Sequence, residues 1–243
     1  MIEQQNTIVV IASQLSVPGL PGRPMADLGG APLVTQAWRA AGAAKLGHVL
    51  VAAAELPIAE AIKSAGGDAI VTPRLQPSPA DRAAAALALR DPEARYHHVL
   101  VLTDAIPFPD ELLLQRCLAG LTNEQVDIAT LAAPHGAGDA ALWQVAAPLG
   151  PEREVAYARS FVKGAQPNEA LWNHVPIWAF RRARLEAYAA ARNGTPAETG
   201  PRALAQGWPI AVVRVDRMPL LVEEPLGLER AREERKSLHK SQN

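Results

Sequence analysis

The sequence predicts an α/β protein with a doubly wound, mainly parallel sheet and a smaller α+β lobe inserted before the last elements. Short apolar runs rich in β-branched residues, such as 7–12 and 98–103, are typical of strands buried on both faces. Ala-rich segments with helical spacing separate these runs. Strand and helix patterns alternate four times over the first 120 residues, which favours parallel pairing.

The individual elements follow from local signals along the chain. In the first half, Gly66-Gly67 closes a helix pattern as a left-handed cap does. The second half is less regular, and its last helix pattern is charged and precedes a polar tail. The predicted strands are 7–12, 48–54, 69–71, 98–103, 127–133, 142–147, 175–180 and 209–215, and the predicted helices are 33–44, 57–65, 81–89, 185–192 and 228–236.

Composition and charge limit the possible functions. The 243 residues carry 24 Lys and Arg against 25 Asp and Glu, and a net charge of −1 argues against a nucleic-acid partner. A chain of this size can bury about 70% of its surface, enough for one sizeable core or two unequal lobes. The one cysteine, Cys117, excludes an internal disulfide and a Cys-based zinc site. Because neither a secretory signal nor an apolar run of about 18 residues is evident, we expect a cytoplasmic protein without a membrane span.

Two loops follow the carboxyl ends of predicted strands, where ligands bind in parallel sheets. One runs from Val17 to Pro32 and is rich in Gly and Pro, and the other runs from Asp104 to Pro109. The first loop has neither P-loop nor GxGxxG spacing. Its backbone N–H groups could approach phosphate oxygens, with Arg23 adding a cation, or the loop could be a tight surface turn.

Three further residues have side chains that suit a site. The carboxylate of Asp104 could hold Mg²⁺, or it could cap a helix or a turn. Glu223 follows an apolar run and offers a second carboxylate. His174 lies among tryptophans, where it could form the wall of a sugar site or serve packing alone. The histidines lack zinc spacing and no GxSxG motif is present, so neither zinc nor acyl-transfer chemistry is supported.

An ordered set of short motifs resembles the 3-deoxy-manno-octulosonate (Kdo) cytidylyltransferase family. The segment Leu20–Pro24, followed by Asp27 and Gly30, is similar to that family's LPGKPL opening. No single motif is specific, but their order and spacing agree over nearly the whole chain. The other stretches are Ala65–Asp68 with Thr72, Ser78 with Arg82, Asp104–Pro109, Ala129–Ala132, His174–Arg181, Thr195–Glu198 and Glu223–Pro225.

The resemblance implies a nucleotidyltransferase fold and a defined reaction. A cytidylyl group would pass from CTP to the anomeric hydroxyl of Kdo with release of pyrophosphate, giving the activated sugar for lipopolysaccharide synthesis. Within one domain, 1–243, residues 7–125 would form a nucleotide-binding half and 126–225 a sugar-binding and dimerisation half. Residues 226–243 would form the C-terminal helix and tail. The expected partners are CTP, Kdo or a related acidic sugar, and a second copy of the chain in a homodimer.

The resemblance also assigns nucleotide-binding and catalytic residues. Gly22, Arg23, Ser78 and Arg82 match positions that bind the nucleotide. Arg23 stands where the family has a lysine near the triphosphate, and Asp104 matches a magnesium-binding aspartate. Arg23 and Asp104 are therefore the expected catalytic residues.

Metal and sugar contacts are implied in the same way. Glu223 takes the place of a second magnesium-binding aspartate, so Mg²⁺ is the expected cofactor, and His174 and Glu198 match sugar-contacting positions. The chain departs from the family pattern where Gln14 and Gly19 replace two arginines. Two functions are therefore open: a Mg²⁺-dependent cytidylyltransferase, or a catalytically silent member of the fold that binds nucleotide, sugar or a partner protein.

Overall fold

Ten strands form one sheet in the computed structural model, which describes residues 6–135, 142–164, 171–191 and 197–240. The fold class is the predicted α/β one. The strands are β1 (Thr7–Ser13), β2 (His48–Ala53), β3 (Asp68–Val71), β4 (His98–Thr103), β5 (Ile128–Ala133), β6 (Trp143–Ala146), β7 (Val155–Tyr157), β8 (Ser160–Lys163), β9 (Leu171–Arg181) and β10 (Ile210–Arg214). The helices are α1 (Leu33–Ala43), α2 (Leu56–Ser64), α3 (Pro79–Arg90), α4 (Glu111–Ala119), α5 (Arg182–Ala190), α6 (Thr199–Ala205) and α7 (Pro225–Lys240).

The strand order is β3-β2-β1-β4-β9-β5-β10-β7, with β6 paired to β9 and β8 paired to β6. β1 pairs in parallel with β2 and β4, and β5 pairs in parallel with β10, whereas β9 is antiparallel to both β4 and β5. The chain builds outward from β1 to β3 and then returns to place β4 on the other side of β1. The order therefore switches between β1 and β4, which is where ligands bind in such folds.

Helices cover both faces of the sheet, because its strands are apolar on both sides. Val9 and Ile11 of β1 face a core formed with α1, α2 and α4. Ile8 and Val10 of the same strand face the opposite core, formed with α3, α5 and α6. This alternation explains why the strand reads as a continuous apolar run rather than as alternating polar and apolar residues.

The long strand β9 contains a break in its pairing with β5. Thr130 pairs with Trp178, whereas the next residue of β5, Leu131, pairs with Val175, so two residues of β9 have no partner on β5. One of these is Pro176, which lacks the N–H that a regular ladder requires. A bulge is the position in a sheet interior where proline is tolerated.

The C-terminal helix α7 packs against the loop that follows β1. Leu228 and Ala231 of α7 form a small apolar cluster with Val222 and with Leu28 and Leu33. The Gly- and Pro-rich loop is therefore fixed on one side by the far end of the chain.

The sequence located most elements but missed several short ones. Each predicted strand is present, although β9 begins at Leu171 rather than 175, and α7 spans 225–240 rather than 228–236. Two short strands, β7 and β8, and the helices α4 and α6 were not predicted. The pattern of α6 is obscured by Gly200 and Pro201, which disfavour helix interiors. Within the described ranges, no helix is long and apolar enough to cross a membrane.

Candidate active site

A cavity of about 140 Å³ lies at the carboxyl ends of β1 and β4. The sequence predicts a ligand site at this edge of the sheet. Four segments line the cavity: the end of β1 with the start of its loop, Arg23, the segment before and within the first turn of α3, and the end of β4. The lining residues are Ala12, Ser13, Gln14, Val17, Arg23, Gln76, Pro77, Ser78, Pro79, Arg82, Thr103 and Asp104.

Arg23 and Asp104 form a buried ion pair at this cavity. The Nε of Arg23 donates to Oδ2 of Asp104 over 2.7 Å, and the two residues are 6% and 0% exposed. Gly22 precedes a short 3-10 helix (Arg23–Met25) with φ 78°, a left-handed conformation that glycine adopts without strain. Gly22 therefore shapes the turn that carries Arg23, whose terminal nitrogens have no acceptor in the part of the chain that the structure describes.

Asp104 does not cap a helix. Asp110 fills that role for α4, where its Oδ1 accepts from the N–H of Leu113 over 2.7 Å. The second carboxylate oxygen of Asp104, Oδ1, is buried and has no hydrogen-bond partner among the described residues. An unpaired buried carboxylate oxygen fits a hard cation such as Mg²⁺.

The backbone of residue 222 joins the same edge of the sheet. The N–H of Val222 donates to the carbonyl of Ala105 over 2.8 Å, which places the following Glu223 in the segment beside Asp104. The side chain of Glu223 is exposed. In the ranges 6–135, 142–164, 171–191 and 197–240, no group of three or more His, Cys, Asp and Glu side chains is arranged to hold a metal ion. Metal binding by Asp104 and Glu223 stays a prediction.

Gly19, one of the two positions that replace an arginine, has a backbone that excludes any side chain. Its φ is +81°, and a Cβ at this residue would overlap the carbonyl oxygen of Glu223. The loop after β1 and the segment before α7 are in direct contact here. An arginine at this position would therefore require a different local backbone, one in which the two segments lie farther apart.

Arg82 is buried at the cavity and holds the chain around it. Its Nη1 donates to the Thr72 hydroxyl over 2.8 Å and to the Pro73 carbonyl over 3.3 Å. Its Nη2 donates to Oε1 of Gln14 over 2.8 Å and to the Arg74 carbonyl over 3.0 Å. Burial lowers the pKa of Arg82, and the charge of Glu55 partly offsets this effect. Gln14, the other replacement, thus accepts from a cation, which an arginine at this position could not do.

Ser78 is the N-cap of α3. Its hydroxyl accepts from the N–H of Asp81 over 3.2 Å, donates to Oδ2 of Asp81 over 2.7 Å, and lies 3.1 Å from the hydroxyl of Tyr188. Ser78 also lines the cavity, so it shapes the site through the start of α3. The spacing Ser-x-x-Asp is a capping signal that sequence inspection could have recognised.

His174 is buried on β9 beside the bulge. Its Nε2 lies 2.8 Å from Oγ1 of Thr130, whose hydroxyl is also 2.7 Å from the Ile177 carbonyl, so the imidazole donates to the threonine. The rings of Phe161 and Trp178 lie 5.3 and 4.9 Å from it, centroid to centroid. Burial lowers the pKa of His174 to about 3. A packing role is evident, and contact with a sugar stays a prediction.

Glu198 lies immediately before α6, and its side chain is exposed and makes no capping hydrogen bond. Thr195 and Pro196, which precede it in the quoted motif, lie outside the described residues. Gly200 of α6 packs against the ring of Phe161, which in turn contacts His174. The two predicted sugar contacts therefore belong to elements that both contact Phe161 of β8.

Comparison with known proteins identifies close relatives. Residues 8–189 match the model of a family described as cytidylyltransferase. The chain is 34% identical over 238 residues to a 3-deoxy-manno-octulosonate cytidylyltransferase of Parvibaculum lavamentivorans, covering 93% of this chain and 92% of that protein. It is 31% identical over 235 residues to the enzyme of the same name from Paramagnetospirillum magneticum, covering 93% and 96%.

Solved structures show the same fold. A CMP:2-keto-3-deoxy-manno-octonic acid synthetase complexed with CTP superposes with a TM-score of 0.79 at 22% identity, covering 96% of this chain and 100% of that one. A 4-diphosphocytidyl-2C-methyl-D-erythritol synthase from Anaerococcus prevotii gives a TM-score of 0.64 at 12% identity, with the same coverage.

Proposed function

The chain belongs to the cytidylyltransferase family, and from this membership we propose that it transfers a cytidylyl group from CTP to Kdo or a related acidic sugar. The products would be the CMP-sugar and pyrophosphate, and the activated sugar would serve lipopolysaccharide synthesis. Relatives of this name match over almost their whole length, which supports the same reaction class here. Nothing in the comparisons supports a catalytically silent role.

The observation that carries the proposal is the buried Arg23–Asp104 pair at the switch point between β1 and β4. It combines an acidic oxygen without a partner and a guanidinium that uses only its Nε for the carboxylate. The terminal nitrogens of Arg23 are donors that suit phosphate oxygens, because a guanidinium fork matches their geometry. One residue pair thus offers groups for both a cation and a triphosphate.

We assign the metal site to Asp104, with Glu223 as the candidate second ligand. Both carry hard carboxylate oxygens, and the segment that contains Glu223 is hydrogen-bonded to the residue after Asp104. When bound, Mg²⁺ would neutralise the charge of the triphosphate and of the leaving pyrophosphate. Glu223 is exposed on a segment that contacts the loop at Gly19, and we propose that its carboxylate reaches the ion from the solvent side.

The chain's own residues would bind and orient the two substrates. Arg23 would hold the triphosphate through its terminal nitrogens while its Nε keeps Asp104 in place. Arg82 would act on the nucleotide indirectly, because both of its terminal nitrogens already donate to Gln14 and to residues 72–74. The anomeric hydroxyl of the sugar would attack the α-phosphate in line with the departing pyrophosphate, so the rate depends on positioning.

Two properties complete the proposal. We expect a homodimer, as the family resemblance implies, and analytical ultracentrifugation would measure its mass. We also place the reaction in the cytoplasm, which the buried free thiol of Cys117 supports, because unpaired buried cysteines are typical of proteins from reducing compartments.

The test is pyrophosphate release from CTP, Mg²⁺ and Kdo by the purified chain. We expect release from the native protein and a loss of at least 10²-fold in kcat for Asp104→Asn, because the change removes the charge at the cation site. Asp110→Asn is the matched control: it makes the same change at a helix cap, where asparagine serves equally well, and should retain full activity.

The outcomes separate the possible errors. No release by the native protein above that of Asp104→Asn, at saturating substrates, would overturn the proposed function for Kdo. Release with another acidic sugar but not with Kdo would keep the reaction class and change the substrate. Equal activities of Asp104→Asn and Asp110→Asn would remove Asp104 from the site.

A further inference from the structure

A continuous chain of buried hydrogen bonds joins α6 to the first turn of α3. The Thr199 side chain hydrogen-bonds Tyr188, whose hydroxyl lies 3.1 Å from the hydroxyl of Ser78. The Ser78 hydroxyl donates to Asp81 over 2.7 Å. Arg202 closes the chain, because its Nη1 and Nη2 each lie 3.0 Å from one carboxylate oxygen of Asp81. All five side chains are buried.

Arg202 links this network to the predicted sugar side of the site. Its Nη2 also donates to the carbonyl of Ala197 over 3.0 Å, next to Glu198. Its guanidinium lies 4.3 Å from the centre of the Tyr188 ring, which adds a cation–π contact. The guanidinium thus contacts the segment before α6, the ring on α5 and the carboxylate on α3.

The other end of the network belongs to the cavity wall. Ser78 caps α3, and Arg82, one turn further on, donates to the loop 72–74 and to Gln14. A displacement of the first turn of α3 would therefore move both Ser78 and Arg82 relative to the nucleotide. Buried, fully paired networks of this kind fix one arrangement of their elements, because each unpaired member would be costly.

We propose that Thr199, Tyr188, Asp81 and Arg202 are positioning residues that hold the sugar-side helix α6 in register with the nucleotide-side start of α3. They act through Ser78 and Ala197 rather than by touching a substrate. The assignment of the two sides rests on the proposed function, whereas the mechanical coupling of α6 to α3 does not. The test therefore has one readout that needs no substrate.

That readout is amide hydrogen exchange in Thr199→Val, Thr199→Ser and Thr122→Val proteins. Loss of the Thr199 hydroxyl should speed exchange about 3- to 10-fold at residues 80–82 as well as at 199–205, which corresponds to one lost hydrogen bond. Thr199→Ser keeps the hydroxyl and should match the native protein. Thr122→Val removes a hydroxyl bonded to the Ala119 carbonyl at the end of α4 and should leave both segments unchanged. Faster exchange confined to 199–205 would overturn the coupling.

The second readout separates positioning from stability. Tyr188→Phe removes one hydroxyl from the network but keeps the ring, and KM should rise about 3- to 10-fold for both CTP and sugar with kcat within about twofold. Tyr157 lies on the edge strand β7, and its hydroxyl accepts a hydrogen bond from Asn123. Tyr157→Phe deletes this hydroxyl and should change neither KM nor kcat. A lower Tm with native KM values would show a structural role only and overturn the proposal. If the native protein releases no pyrophosphate, the proposed function fails, and hydrogen exchange alone decides the coupling.

Discussion

Arg23 and Asp104 depend on each other for their burial. Burying a charged carboxylate away from solvent is costly unless a cation pairs with it, and Arg23 is the cation in direct contact with Asp104. Removing one partner of a buried ion pair leaves the charge of the other unpaired. This lowers the free energy of unfolding more than removing both partners does. The same pair that suits catalysis is therefore also a determinant of folding.

We expect Arg23→Ala to lower the free energy of unfolding by about 3–5 kcal/mol, because Asp104 would remain buried without its cation. The double variant Arg23→Ala/Asp104→Asn should recover a large part of this loss, since no unpaired charge is left. Urea unfolding of the native protein, both single variants and the double variant gives the coupling. Additive effects of the two substitutions would contradict the pairing.

His174 makes the stability of the protein depend on pH. Its pKa is lowered to about 3 by burial, while an exposed histidine of the unfolded chain titrates near 6.5. Between these values the unfolded state binds the extra proton, so stability is full above about pH 6.5 and is lost as the pH falls toward 3. In this range the His174 imidazole makes the free energy of unfolding fall by up to about 1.4 kcal/mol for each pH unit.

The measurement is chemical unfolding of native and His174→Gln proteins between pH 4.5 and 8. The variant should show a shallower decline of the unfolding free energy below pH 6.5, whatever its stability at pH 8. His97→Gln, at an exposed position, is the matched control and should keep the native profile. Parallel profiles for the native and His174→Gln proteins would contradict a neutral buried histidine.

At the scale of elements, the conformation of the loop after β1 depends on its contacts with residues 222–223 and with α7. Gly19 meets the carbonyl of Glu223, and Leu28 and Leu33 share a cluster with Val222 and α7. The glycine at residue 19, where the family pattern has an arginine, thus allows a contact between two loops. Because of this contact, an arginine cannot be restored there by substitution alone.

Gly19→Ala should therefore be more damaging than Gly30→Ala. Both glycines have positive φ, +81° and +86°, so both variants carry the strain of an alanine in that region, about 1–2 kcal/mol. Only at Gly19 would the added Cβ also overlap a backbone atom, because the space around Gly30 is open. We expect a larger loss of unfolding free energy and a raised KM for CTP in Gly19→Ala. Equal losses for the two variants would show that the contact with Glu223 is unimportant.

Local sequence patterns predicted much of this architecture, whereas the rest depends on long-range contacts that such patterns do not indicate. The apolar runs of β1 and β4 predicted parallel strands, which was enough to place the loops of Arg23 and Asp104 at one edge of the sheet. The structure adds that these two strands are neighbours. The pairing of Arg202 with Asp81 joins residues 121 positions apart, and nothing in the local sequence of α6 indicates it. Metal and sugar contacts stay predictions, because they depend on ligands rather than on the chain.

At the scale of the whole molecule, Cys117 lies where α4 packs on the sheet, and its Sγ contacts the carbonyls of Ala129 on β5 and Ile177 on β9. Burial raises the pKa of this thiol far above its ordinary value. The thiolate, which is the reactive form, is thus almost absent from the folded protein. The cysteine is a reporter of unfolding and has no evident chemical role.

A thiol reagent such as Ellman's should leave the native protein unmodified over the time in which the urea-unfolded chain reacts completely, with one thiol per chain. In intermediate urea, the modification rate should follow the unfolded fraction measured by circular dichroism. Rapid modification of the native protein would mean that α4 separates from the sheet independently of global unfolding.

The packing of α7 has a consequence for the order of folding. Among the described residues every strand precedes Pro225, so α7 docks without contributing a strand to the sheet. Until that helix docks, Leu28 and Leu33 lack their apolar cover, and the loop that carries Arg23 is free to sample other conformations. Competence to bind a nucleotide would therefore arrive only when α7 has docked.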